Sequence, residues 1–151
     1  MVLNLSEVDM LRYGMYSLYL CGDAILATKT AIVAFFAEFI LVLLKVAYKE
    51  PRPFWTHQEI QGWRCQNDFE GPSDHIFLLV FIGTYVNIVY LHKYAKKPKI
   101  ILSYVMGALT VILVCLTASA GFFLGHTYIM QCVTAIVYGL FYTLGCLSLD
   151  T

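Results

Sequence analysis

Long apolar runs alternate with short polar connections along this chain. Four runs approach the length that crosses a bilayer: about 28–48, 75–92, 100–120 and 127–149. Crossing the hydrocarbon takes about 20 helical residues at ~1.5 Å each. The second run is the shortest, about 27 Å at that rise, and leaves little room for tilt. An earlier Tyr- and Leu-rich stretch, 10–24, is interrupted by Gly14, Gly22 and Asp23. It reads as an interfacial or partly inserted helix. The runs are unbroken rather than alternating, and a transmembrane barrel needs many more of them. The predicted fold class is therefore an all-α integral membrane bundle. It has four clear transmembrane helices plus the N-terminal interfacial or partial helix, in a single membrane domain over residues 1–151.

The connections predict an orientation. Lys93, Lys96, Lys97 and Lys99 cluster beside Pro98, between the second and third runs. By the positive-inside rule this loop stays on the cytoplasmic side, or the matrix side in a mitochondrion. The 49–74 loop and the 121–125 turn, with His126 after it, then share the opposite face. That loop sets Glu50, Glu59, Asp68, Glu70 and Asp74 against Lys49, Arg52 and Arg64, so it lacks a basic excess. Trp55, Trp63, Phe54 and Tyr48 suit an interfacial belt there. The organelle is not assigned.

Composition agrees with the pattern. Hydrophobic residues make up 60% of the 151 positions and charged residues 13%, and the mean hydropathy is +0.71. Soluble domains sit near about 45–50% apolar and about 25% charged. The net charge is zero, which predicts no nucleic-acid partner. Met1–Leu11 lacks the basic start of a signal peptide. Cys21, Cys65, Cys115, Cys132 and Cys146 form no C-x-x-C pair and read as packing thiols.

Candidate chemistry gathers at the ends of the apolar runs. Lys45 ends the first, and Arg52 follows seven residues later between Pro51 and Pro53. The lysine offers a mobile point charge, the arginine a planar fork that matches phosphate oxygens. Pro72-Ser73-Asp74-His75 precedes the second run. Ser73 suits a helix N-cap, which leaves backbone N–H groups facing an anion. His75 falls in the first turn. Ser119 lies seven residues before His126, across Gly121–Gly125, and His126 opens the last run. Taken singly, these residues read as snorkelling cations, a helix cap and interfacial histidines. Taken together, in order and on one predicted face, they describe a phosphate pocket. Glu38 lies mid-run, where an ionisable side chain is costly, and reads as a protonated or hydrogen-bonded glutamate between helices, or else as a contact to a partner helix or a lipid headgroup.

The arrangement resembles the type 2 phosphatidic acid phosphatase superfamily of lipid phosphate phosphatases and haloperoxidases. The family pattern is K-x6-RP, then PSGH, then SR-x5-H-x3-D, and the match runs from about residue 40 to 140. The resemblance implies phosphate binding by Lys45, Arg52, Ser73 and Ser119. It implies that His75 serves as general acid and that His126 attacks phosphorus to give a phosphohistidine. It implies no metal and no cofactor.

Three positions depart from the pattern. Asp74 stands for the glycine of PSGH, Ala120 for the arginine of the third motif, and Met130 for the aspartate that orients the nucleophile. Disabling the orienting carboxylate of a serine-protease triad costs about 10⁴-fold. Loss of one preorganised donor costs roughly 10²–10³-fold. A carboxylate at ~5 Å from the anion repels it by about 3 kcal/mol per charge at an effective dielectric of ~20. The same carboxylate in a first helical turn stabilises the helix by roughly 0.3–1 kcal/mol. The expectation is a catalytically impaired member with a structural or lipid-headgroup-binding role. Its partners would be membrane lipids, a lipid phosphate or phospholipid headgroup, and other membrane-protein subunits of a larger assembly. The alternative is an active, metal-independent lipid-phosphate phosphatase acting through a phosphohistidine.

Overall fold

The computed structural model describes residues 24–56, 69, 71–93, 97–125 and 127–150. Five helices order them: α1 (Ala24–Tyr48), α2 (Pro53–Thr56), α3 (Asp74–Lys93), α4 (Lys97–Phe123) and α5 (Ile129–Asp150). No strand occurs among the described residues. Four of the helices are long and apolar enough to cross a membrane, over Ala24–Tyr48, Asp74–Leu91, Ile101–Phe123 and Ile129–Leu149. The chain is an all-α integral membrane protein, as the hydropathy predicts. The first span starts at Ala24 rather than 28, because Ala24–Ala27 continue the apolar run. The proposed helix over 10–24 otherwise lies outside the described residues.

Local chemistry fixes where each helix stops. The Lys49 N–H closes a last bond to the Lys45 carbonyl at 3.0 Å. Lys49 then takes a φ of 49°, and Pro51 follows. Pro53 opens α2, where its missing N–H costs nothing. Ser73 caps α3: its carbonyl accepts from the Phe77 N–H at 3.0 Å, and Asp74 lies in the first turn.

The connection between α4 and α5 is tighter than the sequence suggests. α4 runs through Gly121 to Phe123, because the Leu124 N–H still reaches the Ala120 carbonyl at 3.0 Å. A turn follows at Leu124–Gly125, where the Gly125 N–H bonds the Phe122 carbonyl at 3.1 Å. α5 begins at Ile129, two residues beyond the expected start. The Gln131 side chain sets that start by accepting the Tyr128 N–H at 2.9 Å through Oε1. This is the backward half of a capping box.

α3 is the centre of the bundle. Ile76, Phe77, Val80, Phe81 and Tyr85 are buried against Ala34, Ala37 and Leu41 of α1 and Cys132 and Ala135 of α5. The small residues bring backbones close, which is how helices associate where lipid is as apolar as leucine. Gly139 is the clearest case. A Cβ there would lie 3.1 Å from Val80 Cγ1 and 3.2 Å from the Phe77 carbonyl oxygen. Polar side chains add cross-links. Thr84 and Thr143 hydroxyls meet at 3.0 Å, and Tyr142 Oη donates to the Val33 carbonyl at 2.9 Å. Asn87 donates to the Ser103 carbonyl at 3.2 Å and accepts from the Ser103 hydroxyl. α1 and α5 stand apart along a groove of about 800 Å³, with Phe77 and Tyr85 of α3 among its lining.

Candidate anion site at one end of the bundle

The C-terminal end of α1, the N-terminal ends of α3 and α5, and the 71–73 segment meet at one end of the bundle. Lys45 is one helical turn from the end of α1. Its Nζ lies 2.5 Å from Asp74 Oδ2 in the first turn of α3. The two side chains are 16% and 34% exposed, so the pair is partly shielded from water. Gly71 backs directly onto Lys45. Its φ is 51°, and a Cβ there would come within 3.1 Å of Lys45 Cα. Glycine thus serves both a left-handed conformation and a close approach.

Ser73 and Gln131 join α3 to α5. The Ser73 N–H faces the Gln131 carbonyl at 3.5 Å. Ser73 is 2% exposed and Gln131 1%. With Oε1 committed to Tyr128, the remaining Gln131 polar atom is Nε2, which is buried and has no hydrogen-bond partner. Thr56 of α2 and Tyr128 share a hydroxyl contact at 2.6 Å, which ties the segment after Arg52 to the start of α5. Arg52 is 3% exposed. A guanidinium so buried requires compensating polar contacts.

The sequence-derived candidates therefore separate into groups. Lys45, Ser73 and Asp74 gather where α1, α3 and α5 meet, and Arg52 is buried in the segment tied to the same corner. His75 is half-buried in the first turn of α3. Ser119 is half-buried on α4, and its hydroxyl is donated within its own helix, to the Cys115 and Leu116 carbonyls at 2.9 Å each. No described contact joins it to Lys45, Ser73 or Asp74. Ala120 is exposed. Met130 is 68% exposed, so that position faces outward in this register. His126 lies outside the described residues, as do Arg64, Asp68 and Glu70. Lys49 is exposed at the end of α1.

Sequence reasoning passed over Gln131. A signal was present: it is the sole carboxamide in an otherwise apolar span, and it stands three residues past Tyr128. Glu38 is half-buried on α1 and makes no hydrogen bond or ion pair. Among the described residues it has no hydrogen-bond partner, which leaves the protonated form of the sequence reading. The thiols divide by depth, with Cys132 buried, Cys146 intermediate and Cys115 exposed. Cys21 and Cys65 fall outside the described residues. No group of three or more His, Cys, Asp or Glu residues suited to a metal occurs among the described residues.

A lysine, a buried arginine, a buried serine cap and two helix N-termini lie at this end of the bundle, and helix N-termini favour negative charge. The same end also contains its own anion, the Asp74 carboxylate. No curated protein and no solved structure matches the chain. A family model does match, over residues 26–150, and on that extent the chain belongs to the PAP2 superfamily.

Proposed function

We propose that this chain is a catalytically impaired member of the PAP2 superfamily. It keeps the membrane bundle and part of the anion pocket, and it serves as a lipid-headgroup-binding or structural component of a membrane assembly. One observation carries the reading: the 2.5 Å contact between Lys45 Nζ and Asp74 Oδ2. The lysine that would hold a phosphate oxygen is already engaged by a carboxylate fixed on α3. An incoming phosphate must displace that carboxylate or accept its repulsion, about 3 kcal/mol per charge at ~5 Å and an effective dielectric of ~20. Met130, at the position of the orienting aspartate, gives an attacking imidazole no carboxylate. By analogy with a disabled triad this costs about 10⁴-fold.

Lys45, Arg52 and Ser73 support the binding role, because they lie at one end of the bundle and near the bilayer boundary. The motif face then lies opposite the basic cluster of Lys93, Lys96, Lys97 and Lys99, which stays cytoplasmic or on the matrix side. The direct test is hydrolysis by the purified chain in detergent and in nanodiscs. Phosphatidic acid, a sphingoid-base phosphate and p-nitrophenyl phosphate should release no phosphate above background. Turnover that vanishes in His126→Ala would establish the active, phosphohistidine-forming alternative and end this reading.

A further inference from the structure

We infer that the site holds the singly charged phosphodiester of an intact membrane phospholipid, with an acyl chain in the groove between α1 and α5. This rests on the binding role proposed above and names its ligand. Three observations carry it.

The first is charge. A phosphomonoester carries about −1.5 to −2 near neutral pH, whereas a phosphodiester carries a single negative charge. Asp74 places a fixed negative charge against Lys45. The Lys45 charge is thereby already shared with a carboxylate fixed on α3. The added carboxylate penalises the second charge of a monoester far more than it penalises a diester. At ~5 Å and an effective dielectric of ~20, one extra ligand charge shifts the preference by about 10²-fold.

The second is the Gln131 carboxamide. Its Nε2 is a buried donor with no hydrogen-bond partner, on a residue whose backbone carbonyl faces the Ser73 N–H. A buried N–H is costly unless an acceptor reaches it, and a headgroup oxygen is an acceptor of the right kind. The amide is neutral, so it recruits an oxygen without demanding a second charge.

The third is the groove. It holds about 800 Å³ and is walled by apolar and aromatic side chains, including Phe36, Phe77, Tyr138 and Phe141. At one end it is lined by Leu44, the neighbour of Lys45, and by Phe77, one turn from Ser73. It extends along α1 to Lys29, about 22 Å at ~1.5 Å per residue. An apolar groove that ends at the residues next to Lys45 and one turn from Ser73 matches a molecule with a charged head and a hydrocarbon tail. A free phosphate would leave the groove unused.

The test uses the full chain in nanodiscs whose lipid is phosphatidylcholine doped with either phosphatidylglycerol or phosphatidic acid of identical acyl chains. Retained lipid is measured by native mass spectrometry. The wild type should retain phosphatidylglycerol over phosphatidic acid, and Asp74→Asn should move the ratio toward phosphatidic acid by about 10²-fold. If the variant does not fold, competition on the wild type decides. Dihexanoyl phosphatidylglycerol, whose chains are too short for the groove, and dimethyl phosphate, which has none, should compete more weakly than long-chain phosphatidylglycerol, and inorganic phosphate more weakly than dimethyl phosphate. Equal retention of the two lipids, or a preference for phosphatidic acid in the wild type, overturns the inference. Those results without hydrolysis leave the impaired-enzyme reading standing, whereas hydrolysis lost in His126→Ala removes that reading itself.

Discussion

The Lys45–Asp74 pair can be weighed by a double-mutant cycle. Lys45→Met and Asp74→Asn each remove one charge while keeping most of the side-chain volume. At 2.5 Å, the bare attraction is about 6–7 kcal/mol for an effective dielectric of ~20. That figure omits the cost of drying both groups, so it is a ceiling. Exposed pairs contribute about 0.2–1 kcal/mol, and breaking a fully buried pair costs about 3–5 kcal/mol. With side chains 16% and 34% exposed, this pair falls between those limits, and solvent screening at Asp74 draws it toward the lower one. The expected coupling is about 1–2 kcal/mol. Asp74→Asn also forfeits roughly 0.3–1 kcal/mol of charge–dipole stabilisation at the start of α3, but that term cancels in the cycle. The measurement is reversible unfolding of all four proteins in mixed dodecyl maltoside and SDS micelles. The functional consequence follows directly: a coupling of about 1.4 kcal/mol means a phosphate competing for Lys45 binds about tenfold more weakly. A coupling within error of zero would show that Asp74 does not hold Lys45, and the reasoning built on that contact would fail.

Two further substitutions test the bundle. Asn87→Leu breaks both bonds to Ser103 and should lower stability by about 0.6 kcal/mol, with ~1.7 as an upper bound for such bonds in membranes; a loss above ~3 kcal/mol in the same unfolding assay would show that the α3–α4 interface depends on it far more than its geometry implies. Glu38→Leu removes a half-buried carboxylate from the middle of α1 and should raise the unfolding midpoint, since a charged group at the bilayer centre costs about 2.5–3.5 kcal/mol on insertion scales. A lowered midpoint would reveal a partner for Glu38 beyond the described residues.

The spans were legible because one quantity, the length of an apolar run, decides whether a segment crosses a bilayer. That the end of α1 and the start of α3 share a face was legible for the same reason, since alternate helix ends must do so. Helix rotation is a different matter. Met130 and Gln131 are neighbours, yet one is 68% exposed and the other 1%. Which of them looks inward depends on where α5 starts, and that is set by the Tyr128–Gln131 bond. Hydropathy is nearly blind to a shift of one residue in such a span. The direction of Asp74 was hidden too. A carboxylate in a first turn satisfies the helix dipole whether it points to water or to a lysine on another helix.

These particulars bear on how the three motif departures fit together. Relative to the family pattern, Asp74 adds a negative charge, Ala120 removes a positive one and Met130 removes a negative one. Together they lower the formal charge of the motif positions by one. A site meant for a dianion would be mismatched by that change, because the attraction it offers scales with both charges. A site for a monoanion would be adjusted by it. Their placement follows the same logic. Asp74 sits where its charge is compensated by Lys45, while Ala120 and Met130 lie on exposed positions, where apolar side chains suit contact with lipid. On the proposed reading, catalysis would need His126 held by a partner that Met130 cannot be, whereas headgroup binding would draw on Lys45, Arg52, Ser73 and the Gln131 amide. Asp74 and Ala120 thus bear on groups that would hold the anion, and Met130 on the group that would orient the nucleophile.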